Sequence, residues 1–394
     1  MTPRRPTGVA LLGSTGSIGE QALDVIRAAD GRFDVAALAA RRSAAKLAAQ
    51  AREFRPPVVA LVEDSQAGEL ARALPAGCRL EVGPEAVAEL AAADGAEVVL
   101  NGITGSVGLA PTLRALEAGK RLALANKESM IVGGALVAER AQPGQIIPVD
   151  SEHSALAQCL RAGREGEVAK LVITASGGPF RGWDAAALAT VTPEQALAHP
   201  TWAMGPMITI NSATLMNKGQ EVIEAHLLFG VPFDRIEVVV HPQSIVHAMV
   251  EFRDGATISQ LSMPDMRLPI GLALGWPDRS DQPVGRLDWT RVTTLEFEPV
   301  DRATFPLLDL AISAGRQGGT APAVMNAANE EAVAAFLAGR IPFPCIAEVV
   351  AEVLATHAPP ARLDLDTVLA AERSARRRAR TLVEDLFATG RSDE

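Results

Sequence analysis

The chain has 394 residues, more than one simple core holds, so two or three domains are expected. A net charge of −10 argues against a general nucleic-acid or membrane-surface binder, and 48% hydrophobic with 21% charged residues is ordinary for a soluble globular protein. Cys78, Cys159 and Cys345 lie far apart without CxxC spacing, which excludes a cysteine zinc site, argues against a disulfide framework and suits a reducing cytoplasm. No apolar run approaches membrane-spanning length, and Val9–Leu12, behind a basic start, is too short for a signal-peptide core.

Val9–Leu12 reads as a short buried strand. It runs into Gly13-Ser-Thr-Gly16-Ser-Ile-Gly19 and then a helical pattern over Gln21–Ala29. Strand, glycine-rich turn and helix start form a cradle for a pyrophosphate, although a tight turn without a ligand has the same local pattern. The second strand, Phe33–Leu38, leads to Ala39-Ala40-Arg41-Arg42-Ser43, with no acid for a ribose 2′-hydroxyl. Two arginines there suit a 2′-phosphate, so NADPH is the expected cofactor. Strands follow at Val58–Val62, Glu97–Leu100 and Arg121–Ala125, with helices such as Val107–Ala118 and Met130–Arg140 between them. Such alternation predicts an α/β fold with an N-terminal Rossmann-like parallel sheet. Ligands of such sheets bind beyond the C-terminal strand ends, where Asn126, Lys127 and Glu128 stand.

Gln145–Val149 reads as an apolar strand entering Asp150-Ser-Glu152-His153. If the chain stays extended there, Asp150 and Glu152 point the same way and offer two carboxylates to a hard divalent cation. The competing reading has both acids capping a following helix, Ser154–Leu160.

The strand Lys170–Thr174 ends in Ser176-Gly177-Gly178, which can form an anion-binding nest. His199-Pro-Thr-Trp202-Ala-Met204-Gly205 places apolar bulk in a turn-rich stretch, which reads as a lid or as ordinary packing. One helix is expected from Ser212 to about Leu228. Asn217, Lys218, Glu221 and Glu224 share one of its faces, with Met216, Ile223 and Leu227 opposite. Ile236–His241 and Val246–Phe252 read as strands, and Asp254-Gly255 as a hairpin turn into Ala256–Leu261. Helices at Leu307–Ala314, Val324–Leu337, Cys345–Leu354 and Asp366–Phe387 predict a C-terminal helical bundle. The arginines at 373, 376, 377, 378 and 380 are flanked by acids and read as solvated or dimer-facing.

Taken together, Gly13–Gly19, Ala125-Asn-Lys-Glu-Ser129, Val149-Asp-Ser-Glu-His-Ser154, Ser176-Gly-Gly-Pro-Phe-Arg181, His199-Pro-x-Trp-x-Met-Gly205, Ser212-Ala-Thr-x-Met-Asn-Lys-Gly219 and His241-Pro-Gln-Ser244 resemble, in order, the 1-deoxy-D-xylulose 5-phosphate reductoisomerase family. Pro264-Asp-Met-Arg267 and Asn326-Ala-Ala-Asn-Glu330 extend the resemblance. It implies a homodimeric enzyme of non-mevalonate isoprenoid biosynthesis, inhibited by fosmidomycin. Its three parts would be an NADPH domain over 1–150, a central α+β catalytic domain over 151–300 and a helical domain over 301–394. Thr15, Gly16, Ser17 and Ile18 would hold the pyrophosphate, with Ala40, Arg41 and Arg42 at the 2′-phosphate and Asn126, Glu128 and Gly205 also touching cofactor. Asp150, Glu152 and Glu221 would bind Mg²⁺, Mn²⁺ or Co²⁺. Lys127, Ser151 and His199 would meet the carbonyl and hydroxyl end of the phosphosugar, and Ser176, Ser212, Asn217 and Lys218 its phosphate. Lys127 and the three carboxylates would be the catalytic set, and His199, Trp202 and Met204 would ride on the lid. The chain departs from the family pattern at Pro206-Met207, where a basic residue is common, at Asn211, where Asp is usual, and at Ala40-Arg41-Arg42, in place of Gly-Lys/Arg-Asn. Plastid relatives carry transit peptides and none is visible, so a bacterial cytoplasmic enzyme is expected. A metal-free NADP dehydrogenase would not need the three carboxylates, and an NADPH-sensing protein would not need the phosphate donors.

Overall fold

The computed structural model describes residues 5–291 and 294–390, so the first part of the basic start, residues 1–4, lies outside it. Its contacts form two compact units. The first runs to Ser129 and takes in Val137–Ala157 and Asp265–Arg286; the second holds Met130–Leu136, Gln158–Pro264 and the chain from Leu287 onward.

The first unit is built on seven parallel strands: β1 (Thr7–Leu12), β2 (Phe33–Ala40), β3 (Val58–Leu61), β4 (Arg79–Val82), β5 (Val98–Asn101), β6 (Arg121–Leu124) and β7 (Ile146–Pro148). Their order is β4-β3-β2-β1-β5-β6-β7. The order reverses between β2-β1 and β5, the switch point where an open α/β sheet presents a crevice to ligands. The central strands read as unbroken apolar runs because both faces of the sheet are covered. The expected Rossmann-like sheet is present, with one strand more than the sequence suggested. That strand, β4, is the half-exposed edge strand Arg-Leu-Glu-Val, whose charged residues mask its extended character.

Two local features position the glycine turn. Gly13 has φ +82°, and a Cβ on it would lie 2.8 Å from the Gly102 carbonyl oxygen. Gly19 packs the helix Ser17–Ala28 so tightly that a Cβ would fall 2.4 Å from both the Gly13 oxygen and the Ser14 Cα. Against this helix lies Arg267–Gly275, a segment from far along the chain, through Ile270, Ala273 and Leu274. Its C-terminal carbonyls are held by guanidinium groups: Arg121 donates to Trp276 O at 2.6 Å and Leu274 O at 3.0 Å, and Arg32 reaches Gly275 O at 3.4 Å. Cations at a helix C-terminus satisfy orphan carbonyls and complement the dipole.

The second unit carries a mixed five-stranded sheet, β8 (Val168–Ala175), β9 (Ile236–Val240), β10 (Val246–Phe252), β11 (Thr257–Leu261) and β12 (Glu298–Pro299), in the order β11-β10-β8-β9-β12. Only β8 and β9 pair in parallel. The hairpin expected at Asp254-Gly255 joins β10 to β11, with Gly255 at φ +88°. The four C-terminal helices, Leu307–Gln317, Ala321–Leu337, Cys345–Ala355 and Leu365–Gly390, belong to this unit. Three arginines of the run link the last three helices: Arg376 meets Glu330, Glu331 and Glu372, Arg380 meets Glu331, and Arg378 meets Glu352. Among the described residues, no helix is long and apolar enough to cross a membrane.

Replacing Gly19 with alanine forces the helix Ser17–Ala28 away from the Gly13–Ser14 backbone. The expected cost is about 2 kcal/mol, read as a lower melting temperature by circular dichroism. An unchanged melting temperature would show that the turn relaxes freely.

Candidate active site

In the first unit the glycine turn ends at Gly16, the N-cap of Ser17–Ala28, and no side chain caps that helix. Gly16 and Ser17 are exposed and Thr15 and Ile18 half-buried, so the first-turn N–H groups face outward, as an anion site requires. Ala40 closes β2 and is buried, while Arg41 and Arg42 beyond it are exposed. Arg41 Nε lies 3.1 Å from Glu63 Oε1 in a solvent-facing ion pair, a weak restraint that leaves the guanidinium free to turn.

Asn126 and Glu128 brace the loop after β5. Asn126 Nδ2 donates to Ile103 O at 2.7 Å and Gly105 O at 3.0 Å, and Gly105 N donates to Glu128 Oε1 at 3.0 Å. Asn126 also caps Lys127–Arg140 through Ser129 N. Both side chains thus shape the β5 loop as well as standing at the end of β6.

At the end of β7 the chain turns at once into the helix Ser151–Cys159. It is not extended through Asp150 and Glu152, as the apolar run before them suggested. Glu152 lies in the first helical turn, and its N–H donates to Asp150 Oδ1 at 3.3 Å. The capping reading holds for Asp150 alone: the helix begins at Ser151, not at Ser154, and Glu152 lies inside its first turn. Asp150 still has a strong partner: buried Lys127 places Nζ 2.6 Å from its Oδ2. His153 Nδ1 lies 3.3 Å from its Oδ1. Ser151 Oγ donates to the Glu152 carboxylate. His153, fully buried beside Asp150, had no role assigned from sequence, although it lies within the quoted motif.

The second unit gathers the phosphate-type donors. Ser176 follows β8, and its Oγ accepts from Gly178 N at 3.2 Å, with Gly177 and Gly178 at φ +84° and +67°. His199 Nε2 lies 3.0 Å from Ser176 Oγ and 3.2 Å from Ser212 Oγ. Its Nδ1 accepts from Thr201 N at 3.1 Å and Trp202 N at 2.9 Å. Two backbone donors at Nδ1 leave the proton of a neutral ring on Nε2, aimed at the two hydroxyls. Burial pushes the imidazole below its ordinary value of 6.5, and the Lys218 ammonium adds to that shift. His199 thus stands with Ser176 and Ser212, the serines expected at the phosphate, whereas the resemblance groups it with Lys127 and Ser151.

The single helix expected over Ser212–Leu228 is two. Pro206–Ala213 ends and Met216–Phe229 begins across Thr214-Leu215, with Leu215 left-handed at φ 60°. Pro206 occupies the first turn of the earlier helix behind exposed Gly205. On the second helix Asn217 Nδ2 donates to Glu221 Oε1 and Lys218 Nζ to Glu221 Oε2, each at 2.6 Å. The expected polar face is not solvated: Lys218, Glu221 and Glu224 are as buried as Met216 and Ile223. Gly219 lets this helix lie against Leu307–Gln317, since a Cβ there would meet the Ala311 Cβ at 2.3 Å.

Between Leu197 and Pro206 the chain has no regular structure. A cavity of about 380 Å³ is lined by this stretch, including His199, Trp202 and Met204, together with Thr209. Trp202 and Met204 are half-buried, and the indole lies edge-on to the His247 ring at 6.3 Å.

The model of the 1-deoxy-D-xylulose 5-phosphate reductoisomerase family matches residues 9–134, and the two models of that family's C-terminal domains match 146–229 and 261–378. A protein of that name from Beutenbergia cavernae is 61% identical over 385 residues, 96% of this chain and 97% of that one. One from Paenarthrobacter aurescens is 58% identical, covering 96% and 98%. The chain belongs to the 1-deoxy-D-xylulose 5-phosphate reductoisomerase family. The reductoisomerase of Zymomonas mobilis, solved with NADPH, superposes with a TM-score of 0.91 at 42% identity, covering 97% of this chain and all of that one. A DOX-P reductoisomerase solved with NADPH, fosmidomycin and magnesium gives 0.89 at 36% identity, covering 96% and 98%. The expected fold class and family thus stand, and the residues selected from sequence fall into two groups, one in each unit. Lys127, Asp150, Ser151 and Glu152 lie in the first unit, and Ser176, His199, Ser212, Asn217, Lys218 and Glu221 in the second.

Because the folded imidazole titrates below 6.5, the anchoring of Thr201 and Trp202 on His199 is complete above pH 6.5 and is lost as pH falls through the depressed value. Nuclear magnetic resonance should give a His199 midpoint below 6.5, with the Trp202 amide shifting alongside it. A midpoint at or above 6.5 would contradict a geometry in which two backbone N–H groups donate to Nδ1.

Proposed function

We propose that this chain is the enzyme that converts 1-deoxy-D-xylulose 5-phosphate to 2-C-methyl-D-erythritol 4-phosphate, rearranging the carbon skeleton and reducing the resulting aldehyde with NADPH. The observation that carries this reading is identity of 58–61%, over nearly the whole chain, to proteins of that name. We assign Thr15, Gly16, Ser17 and Ile18 to the pyrophosphate, Ala40, Arg41 and Arg42 to the 2′-phosphate, and Asn126, Glu128 and Gly205 to further cofactor contacts. Ser176, Ser212, Asn217 and Lys218 hold the substrate phosphate, and the neutral Nε2–H of His199 adds a donor that needs no proton from solvent.

Asp150, Glu152 and Glu221 are assigned to a divalent cation. The donors suit a hard ion, because all three are carboxylates. Glu221 is 1% exposed and lies against the Lys218 ammonium, and Asp150 lies against that of Lys127, so both environments already call for positive charge. When bound, such an ion polarises the substrate carbonyl and stabilises oxyanion charge. Lys127 and Ser151 orient the carbonyl and hydroxyl end, with Lys127 holding a proton at Nζ beside Asp150. His199, Trp202 and Met204 move with the loop that closes on the phosphate, using remote binding energy to exclude water from the aldehyde. The same reading makes the chain a cytoplasmic homodimer, which light scattering on the purified protein tests.

The deciding assay is NADPH oxidation with 1-deoxy-D-xylulose 5-phosphate, with and without Mn²⁺, for the parent chain and Glu221→Gln. Metal-dependent turnover should fall in the variant by at least about a hundredfold; turnover indifferent to EDTA would overturn the metal assignment. Separately, Arg41→Ala with Arg42→Ala should raise the KM for NADPH by about tenfold while leaving the KM for NADH unchanged. Equal losses with both cofactors would remove the 2′-phosphate assignment.

A further inference from the structure

The run Asn326-Ala-Ala-Asn-Glu330 takes no part in the chemistry above. It lies in the helix Ala321–Leu337, with Asn326 and Asn329 three residues apart on one face and both essentially without exposure. Asn326 Oδ1 accepts from Gln220 Nε2 at 2.9 Å, and Gln220 immediately precedes Glu221. Asn329 Nδ2 donates to Asn211 Oδ1 at 2.9 Å, and Asn211 immediately precedes Ser212. One helix face therefore makes a side-chain amide hydrogen bond to each of the two helices that carry the donors.

The polarity of the first bond is set from behind. Asn326 Nδ2 donates to Glu330 Oε1 at 3.0 Å, and Arg376 holds Glu330 Oε2 at 2.5 Å. A carboxylate paired with a guanidinium only accepts, so Nδ2 must face it and Oδ1 is left for Gln220. The two donor helices need such a restraint. Only Thr214 and Leu215 join them, and Leu215 adopts the left-handed backbone, which a non-glycine residue does not favour by itself.

We propose that Asn326 and Asn329 are positioning residues that together set the angle between the Ser212 and Glu221 helices, and so the spacing of the donors that grip the substrate phosphate. The inference rests on the reductoisomerase reading. Asn211 presents an uncharged amide oxygen to Asn329, an acceptor that a carboxylate would also offer.

The test uses the full chain and three variants: Asn326→Leu, the double replacement Asn211→Leu with Asn329→Leu, and Asn211→Asp. Removing both members of a buried pair leaves no orphan, so the double variant should melt close to the parent. Its KM for 1-deoxy-D-xylulose 5-phosphate should nevertheless rise about fivefold or more, and that of Asn326→Leu likewise, with the KM for NADPH unchanged. Asn211→Asp keeps the acceptor and should restore a parent-like KM. An unchanged substrate KM in the double variant, or both KM values rising in step with lost melting temperature, would overturn the proposal. A parent chain without turnover would instead refute the reductoisomerase reading. The bracket is then read from inorganic phosphate, which should raise the melting temperature of the parent and not of the double variant; equal shifts would overturn it.

Discussion

A carboxylate with almost no exposure to water must have positive charge or strong donors beside it, and Glu221 meets that demand from its own helix. The requirement reaches through the second unit. Placing Asn217, Lys218 and Glu221 one turn apart puts the donors on the same stretch as the acid, so the helix must be buried on that side too. A helix buried all round cannot rely on an apolar stripe for its orientation. Here it is set by close approach, with Gly219 against Ala311 and Gly315 against Ile223 and Phe233, and by the Gln220–Asn326 bond.

The first unit solves a different problem. Its proposed pyrophosphate cradle is built from backbone: the uncapped start of Ser17–Ala28 and the turn held by Gly13 and Gly19. Backbone donors need no partner chosen from a distant part of the chain. They need a strand end, a helix start and room for the main chain, all encoded within about a dozen neighbouring residues. The loop after β5 is braced similarly, by Asn126 and Glu128 from the next strand end.

That contrast explains what could be read from sequence. The strand, glycine turn and helix at the start, the parallel sheet, the β10–β11 hairpin and the C-terminal helices depend on local pattern and were legible. The break at Leu215 was not, because Ser212–Leu228 is helical by composition and the bend depends on bonds to residues more than a hundred positions away. Nor was the burial of Lys218 and Glu224, since charge ordinarily predicts solvent. The run from Gln145 to Val149 suggested that extension would continue, whereas Asp150 stops it by accepting from Glu152 N. The arginines of the last helix pair with acids on other helices, which no flanking pattern reveals.

The proposed phosphate site in the second unit raises a question of charge. Lys218 is the only full cation among the donors assigned to it, and its ammonium is already committed to Glu221 at 2.6 Å. His199 cannot supply a second cation near neutral pH, because protonation would turn Nδ1 from acceptor to donor against two backbone N–H groups. On the proposed assignment, Glu221 would hold a divalent ion that supplies positive charge at its carboxylate, and the Lys218 ammonium would then be available to the phosphate. Metal and phosphate binding are then coupled through one side chain, by a charge exchange that needs no movement of the helix itself.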